Sequence, residues 1–119
     1  MQKDGLISLV IPAFNEAQRI VGTVSEAVQY FESRNHTFEI IVSADGDDGT
    51  REKASALADK DPRIRVTGDN DRRGKGFGVR RAVKLAKGSI IGFADADNKT
   101  PIAEFDKFTG PLSEGYEIV

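Results

Sequence analysis

Apolar runs alternate with amphipathic stretches along the chain. Leu6 to Ile11 is a short apolar run closed by Pro12, and it predicts a buried first strand. Asn15 then suits a helix N-cap, with Gln18 in the capping-box position; Ile20, Val24, Ala27, Val28 and Phe31 make an apolar stripe at helical spacing. Phe38 to Ser43 predicts a second strand, and a polar loop from Ala44 to Thr50 leads into a helix carrying Ala54, Leu57 and Ala58. Beyond Pro62, Ile64 to Thr67 reads as a third strand. A glycine-rich loop then opens a third helix with Val79, Ala82, Val83 and Ala86 inward, Arg80, Arg81, Lys84 and Lys87 largely outward, and Gly88 as its cap. Ile90 to Ala94 predicts a fourth strand, Pro101 to about Thr109 a short helix, and Tyr116 to Val119 the start of a further strand. Strict strand–helix alternation predicts an α/β fold whose mostly parallel sheet is joined by right-handed crossovers, with helices on both faces.

Composition narrows the chemistry. With 119 residues the chain is one domain or part of one, and its net charge of −2 gives no global field for nucleic acid. There is no cysteine and a single histidine, so zinc sites built on these residues and Cys–His nucleophilic catalysis are excluded within the chain. His36 lies in a polar connection and reads as solvent-exposed rather than catalytic. No apolar run approaches the ~20 residues that span a bilayer. Absence of cysteine fits a reducing compartment, so a cytoplasmic setting is expected.

Candidate chemistry gathers where strands give way to loops. Ile90 to Ala94 ends in Asp95-Ala96-Asp97; in extended chain, residues two apart share a side, so both carboxylates can converge while Ala96 turns away. Paired hard oxygens suit Mg²⁺ or Mn²⁺ carrying substrate phosphates. Four Asp-x-Asp spacings occur, but only Asp45/Asp47 and Asp95/Asp97 directly follow strand-like runs, where open α/β sheets bind ligands. Gly74-Lys75-Gly76 misses the phosphate-loop pattern, since Gly68 stands six residues before Gly74 and Gly76 replaces the Ser or Thr. Glycines and a lysine before a helix can still bring backbone donors to an anion, as against a solvated basic turn. Neither acidic loop has the EF-hand spacing: counting from Asp95, Thr100 falls at the glycine position.

Taken together, Ile-Pro-Ala-Phe-Asn-Glu at 11–16, Asp-Gly-Asp-Asp-Gly-Thr at 45–50, Gly-Lys-Gly at 74–76 and Phe-Ala-Asp-Ala-Asp at 93–97 resemble the N-terminal half of family 2 glycosyltransferases. Arg-Gly-Lys-Gly with Val-Arg-Arg, and Phe-Ala-Asp-Ala-Asp-Asn-Lys-Thr, are similar to the dolichyl-phosphate glucose and mannose synthase branch. The resemblance implies a Rossmann-like GT-A three-layer sandwich, cut after about residue 119. It makes residues 1–119 the nucleotide-sugar-binding part, with the acceptor-binding half and the general base lying beyond Val119. By position it implies that Pro12, Ala13, Asn15 and Glu16 line base and ribose, that Asp45 contacts the base, and that Gly74, Lys75 and Gly76 lie near the nucleotide. Asp95 would approach the ribose with Ala96 beside it, and Asp97, with Asp95, would hold Mg²⁺ or Mn²⁺ on the diphosphate.

The reading is therefore a hexosyltransferase using a GDP-mannose or UDP-glucose type donor, with a polyprenyl phosphate as the implied acceptor at the cytoplasmic face of a membrane. A nucleotidyltransferase of similar architecture would want a glycine-rich basic loop after the first strand, which Pro12 to Glu16 does not supply. A non-catalytic binding module is the other alternative. The unreturned strand at Tyr116 to Val119 implies either a larger domain or a partner chain that completes the sheet edge.

Overall fold

In the computed structural model, residues 5–71 and 74–94 are described. The chain order is β1 (Leu6–Phe14), α1 (Ile20–Ser33), β2 (Thr37–Asp45), α2 (Thr50–Lys60), β3 (Ile64–Thr67), α3 (Lys75–Leu85) and β4 (Ile90–Phe93). All described pairings are parallel, and the strands lie in the order β3-β2-β1-β4. The chain thus steps outward from β1 to β3 and then returns across the sheet to place β4 on the other side of β1. With right-handed crossovers, that reversal sends α3 to the face opposite α1 and α2.

Side-chain parity builds the two layers. Ile7, Leu9, Ile11 and Ala13 of β1, with Phe38, Ile40, Val42 and Ala44 of β2, pack against Ile20, Val24, Ala27 and Phe31 of α1 and Ala54 of α2. On the other face Val10 and Ile41 meet Ala82, with Val83, Ala86, Ile91 and Phe93 around them. Strands buried on both faces explain why β1 and β2 read as near-continuous apolar runs. The alternate positions of β2 facing α3 include Glu39, Ser43 and Asp45, all buried. With Ser8 of β1, also buried, these polar residues interrupt two largely apolar strands, and buried polar groups, carboxylates above all, need partners.

Several local expectations are corrected. Pro12 does not end β1; the strand continues to Phe14, and Pro12 pairs in register with Ser43, past the described β4 pairing of Ile7 to Val10. A proline in a strand is tolerated where no ladder hydrogen bond is demanded of its nitrogen. Asn15 is not a helix cap: it sits at φ 57, and α1 begins only at Ile20, without a side-chain cap bond. The Glu16 carbonyl instead accepts the amides of Arg19 and Ile20, each at 2.9 Å, so a turn intervenes before the helix. Asparagine is among the few residues that enter the left-handed region at low cost. Gly88 does not cap α3, whose C-cap is Ala86 in extended conformation. Its role is close approach: a Cβ there would stand 2.6 Å from the Leu6 carbonyl oxygen and from Ser8 Oγ. His36 is half-buried rather than exposed, with its ring edge-on to Phe31 at 6.0 Å. Asp95, Ala96, Asp97, the helix from Pro101 and the strand from Tyr116 lie outside the described residues.

The turn into β3 yields a pH prediction. Asp61 Oδ1 accepts the Arg63 amide at 3.0 Å and its Nε at 2.9 Å, while Oδ2 accepts Nη2 at 2.9 Å. The hydrogen bonds from Arg63 hold the Asp61 carboxyl below its ordinary value of 3.8, against a smaller opposing effect of burial. A depressed carboxylate adds stability that is fully present well above pH 3.8 and is lost as the pH falls through and below it. The pair is partly exposed, Arg63 more than Asp61, so solvent screening keeps its contribution to about 1 kcal/mol or less. Asp61→Asn should therefore lower the urea midpoint at neutral pH and converge with the unsubstituted protein in acid. A constant difference across that range would assign the ion pair no part in acid stability.

Candidate functional site

The carboxyl ends of β1 and β2 lie side by side, with Pro12 opposite Ser43, Ala13 opposite Ala44 and Phe14 opposite Asp45. This register brings the first loop, Asn15 and Glu16, next to the loop that follows Asp45. The two loops are tied by Thr50, which is 1% exposed. Its hydroxyl accepts the Glu16 amide at 3.0 Å and donates to Asp48 Oδ1 at 2.7 Å. Those bonds from Thr50 pull the Asp48 carboxyl below its ordinary value. Asn15, Glu16, Ala17, Gln18, Arg19 and Asp48 line an open recess of about 310 Å³ at this edge.

Arg51, on the first turn of α2, holds the second loop from beneath. Its Nη1 donates to the carbonyls of Ala44 and Gly46, both at 3.0 Å, and of Asp69 at 2.8 Å. The Asp69 amide in turn donates to Asp45 Oδ1 at 3.1 Å. Asp45 also receives Arg81 Nη2 at 2.9 Å, from α3. That helix lies close over β2: Gly78 is buried, and a Cβ on it would come within 2.9 Å of Ser43 Oγ. The N-terminus of α3, with Gly74 at the N-cap at φ 91, Lys75 as the first helical residue and Gly76 as the second, is thereby brought to the same edge.

Of the sequence-predicted site residues, Pro12, Ala13, Asn15, Glu16, Asp45, Gly74, Lys75 and Gly76 all lie at this carboxyl edge. β4 reaches it alongside β1, the Ala94 amide donating to the Val10 carbonyl at 3.0 Å. Asp95, Ala96 and Asp97 are outside the described residues, and among the described residues no group of three His, Cys, Asp or Glu could hold a metal ion. Sequence reasoning missed Arg51 and misplaced Arg81 among outward residues. The signal for Arg81 is Gly78: one helical turn earlier on the inward face, it marks the side on which Arg81 lies.

Strand order reverses at β1, which has β2 on one side and β4 on the other, and in open α/β sheets such a reversal is where ligands bind. Loops, acids and a helix N-terminus all meet there. The model of the glycosyl transferase family 2 matches residues 8–119. The chain belongs to glycosyl transferase family 2.

A dolichyl-phosphate beta-glucosyltransferase of Trichomonas vaginalis is 38% identical over 106 residues, 84% of this chain and 32% of that protein. The glucosyl-3-phosphoglycerate synthase of Mycobacterium tuberculosis in complex with UDP superposes with TM-score 0.65 at 29% identity, over 89% of this chain and 39% of that one. The mannosyltransferase PcManGT of Pyrobaculum calidifontis, in complex with GDP-Man and Mn²⁺, shares the fold with TM-score 0.68 at 24% identity, over 83% of this chain and 29% of that one. The sheet is thus that of the GT-A glycosyltransferases. This family 2 chain spans 18% to 36% of the length of the first curated relatives it matches. Among the described residues no helix is long and apolar enough to cross a membrane.

Proposed function

We propose that residues 1–119 form the donor-binding part of a hexosyltransferase that moves a sugar from a nucleoside diphosphate to a polyprenyl phosphate at the cytoplasmic face of a membrane. The observation that carries the reading is the meeting of the β1 loop, Asp45 and the α3 N-terminus at the point where strand order reverses. Family membership favours glycosyl transfer over nucleotidyl transfer or a passive module. The acceptor class is supported by the name of the Trichomonas relative, and the nucleoside diphosphate by the UDP held in the mycobacterial structure.

In this reading Pro12, Ala13, Asn15 and Glu16 line the base and ribose, and Asp45 accepts a hydrogen bond from the base. The amides opening α3 between Gly74 and Gly76, aided by Lys75, attract the diphosphate, because a helix N-terminus concentrates unpaired N–H groups and positive dipole. Asp95 reaches the ribose beside Ala96, and Asp97 with Asp95 would hold Mg²⁺ or Mn²⁺; two hard carboxylates are the donor type such ions prefer. When bound, the cation would neutralise charge developing on the leaving diphosphate. The general base toward the acceptor hydroxyl is assigned to no residue of this chain.

Calorimetric titration with GDP, UDP, GDP-mannose and UDP-glucose, with and without Mn²⁺, tests this. At least one nucleotide should bind, and tighter with the metal. Asp97→Ala should abolish the metal-dependent gain, about tenfold or more for a lost charge-assisted contact, while leaving the melting temperature near normal. Unchanged metal-dependent affinity in Asp97→Ala removes that residue from the metal role, and no nucleotide binding at all removes the donor site.

A further inference from the structure

Arg81 joins three segments that the donor site needs in one arrangement. Its Nη2 donates to Ser43 Oγ at 2.8 Å and to Asp45 Oδ1 at 2.9 Å, both at the end of β2, and its Nη1 stands 3.7 Å from Asp69 Oδ2 in the loop after β3. The Asp45 and Arg81 side chains are 8% and 19% exposed, so water screens the pair poorly. The Arg81 guanidinium also lies 5.4 Å from the Phe77 ring centre, one turn back on α3. Its Nε is buried with no acceptor among the described residues, so the terminal nitrogens alone set the direction of the fork. Gly78 permits the geometry, because a Cβ there would stand 2.9 Å from Ser43 Oγ and force that hydroxyl, which Arg81 holds, to shift.

We propose that Arg81 is a positioning residue for nucleobase recognition: it fixes the Asp45 carboxylate relative to the α3 N-terminus, so that base and diphosphate are gripped in register. The inference rests on the donor-site reading above. A fixed acceptor loses less rotamer freedom when a base N–H meets it, and a carboxylate already holding Arg81 and the Asp69 amide has few orientations left. Arg81 itself touches no part of the donor in this scheme. Its influence is confined to ligands that carry a base.

That confinement provides the test. The chain and Arg81→Gln are titrated with GDP, UDP and inorganic pyrophosphate in the presence of Mn²⁺, and their melting temperatures are compared. Arg81→Gln should weaken the nucleotides about tenfold while leaving pyrophosphate affinity unchanged. Unchanged nucleotide affinity, or an equal loss for nucleotides and pyrophosphate, would overturn the proposal, the latter assigning Arg81 a merely structural part. Should Arg81→Gln fail to fold, Arg81→Lys carries the test: an ammonium keeps the charge without the planar fork. It should then lose nucleotide affinity and keep that for pyrophosphate, and native nucleotide affinity in Arg81→Lys would equally overturn the idea. If the unsubstituted chain binds pyrophosphate but neither nucleotide, the donor reading itself fails, which is a different result from an insensitive Arg81.

Discussion

Gly68→Ala is expected to destabilise the protein by about 3 kcal/mol, at the upper end for a single methyl group. Gly68 has φ +153, and a Cβ there would fall 1.8 Å from the Ala44 carbonyl oxygen and 2.6 Å from its carbon. Those are backbone atoms of a central strand, hydrogen-bonded on both sides of the chain, and they have no rotamer by which to yield. The β3–α3 loop must move instead. Moving it breaks the bond from the Gly46 amide to the Asp69 carbonyl (2.8 Å), that from Arg51 to the same carbonyl (2.8 Å), and that from the Asp69 amide to Asp45 (3.1 Å). Each net loss is on the order of 1 kcal/mol, more for the two that involve a charged group, which sets the total. Urea denaturation measures the stability, and amide exchange at Gly46 and Asp69 shows whether the loop is the part that opened. A change below about 1 kcal/mol would mean that the close approach of Gly68 to Ala44 is not what holds the loop.

This glycine also shows where sequence reading stops. The alternating runs made the four described strands and three helices legible, because strands buried on both faces and helices buried on one leave different periods. Loop ends carrying acids were legible too, since Asp45 directly follows an apolar run. Tertiary fit was not. Nothing local distinguishes Gly68 or Gly88, packed against a neighbouring strand, from a glycine in an open turn. Nor does composition separate Arg81, which turns inward to a buried carboxylate, from exposed Arg80 beside it. Asn15 was misread for the opposite reason: its capping chemistry and its tolerance of positive φ are both real, and the strand running through Pro12 to Phe14 left only the second in use.

Glu39→Ala should be as damaging to stability as Gly68→Ala, yet leave the donor site intact. Glu39 is buried on β2 facing α3, and its carboxylate serves as a hub. Oε2 accepts the Ser8 hydroxyl at 2.6 Å and the Lys87 amide at 2.6 Å, while Oε1 accepts Arg65 Nη1 at 3.1 Å. Ser8 Oγ in turn accepts the Gly88 amide at 2.8 Å, so one carboxylate links β1, β2, β3 and the entry to β4. Truncation removes the acceptor for a buried hydroxyl, a backbone amide and a guanidinium together, and a broken network of this kind costs on the order of 3 kcal/mol. Glu39→Gln keeps one oxygen and should lose less. The hub lies at the amino end of the strands, opposite Ser8 in register, six residues before Asp45 and so roughly 20 Å from the candidate site. Nucleotide affinity measured well below the melting temperature should therefore be unchanged in Glu39→Ala, even as its urea midpoint falls. Weakened nucleotide binding by the fully folded variant would show that the two ends of the sheet are coupled, and that the division between a structural amino edge and a binding carboxyl edge does not hold.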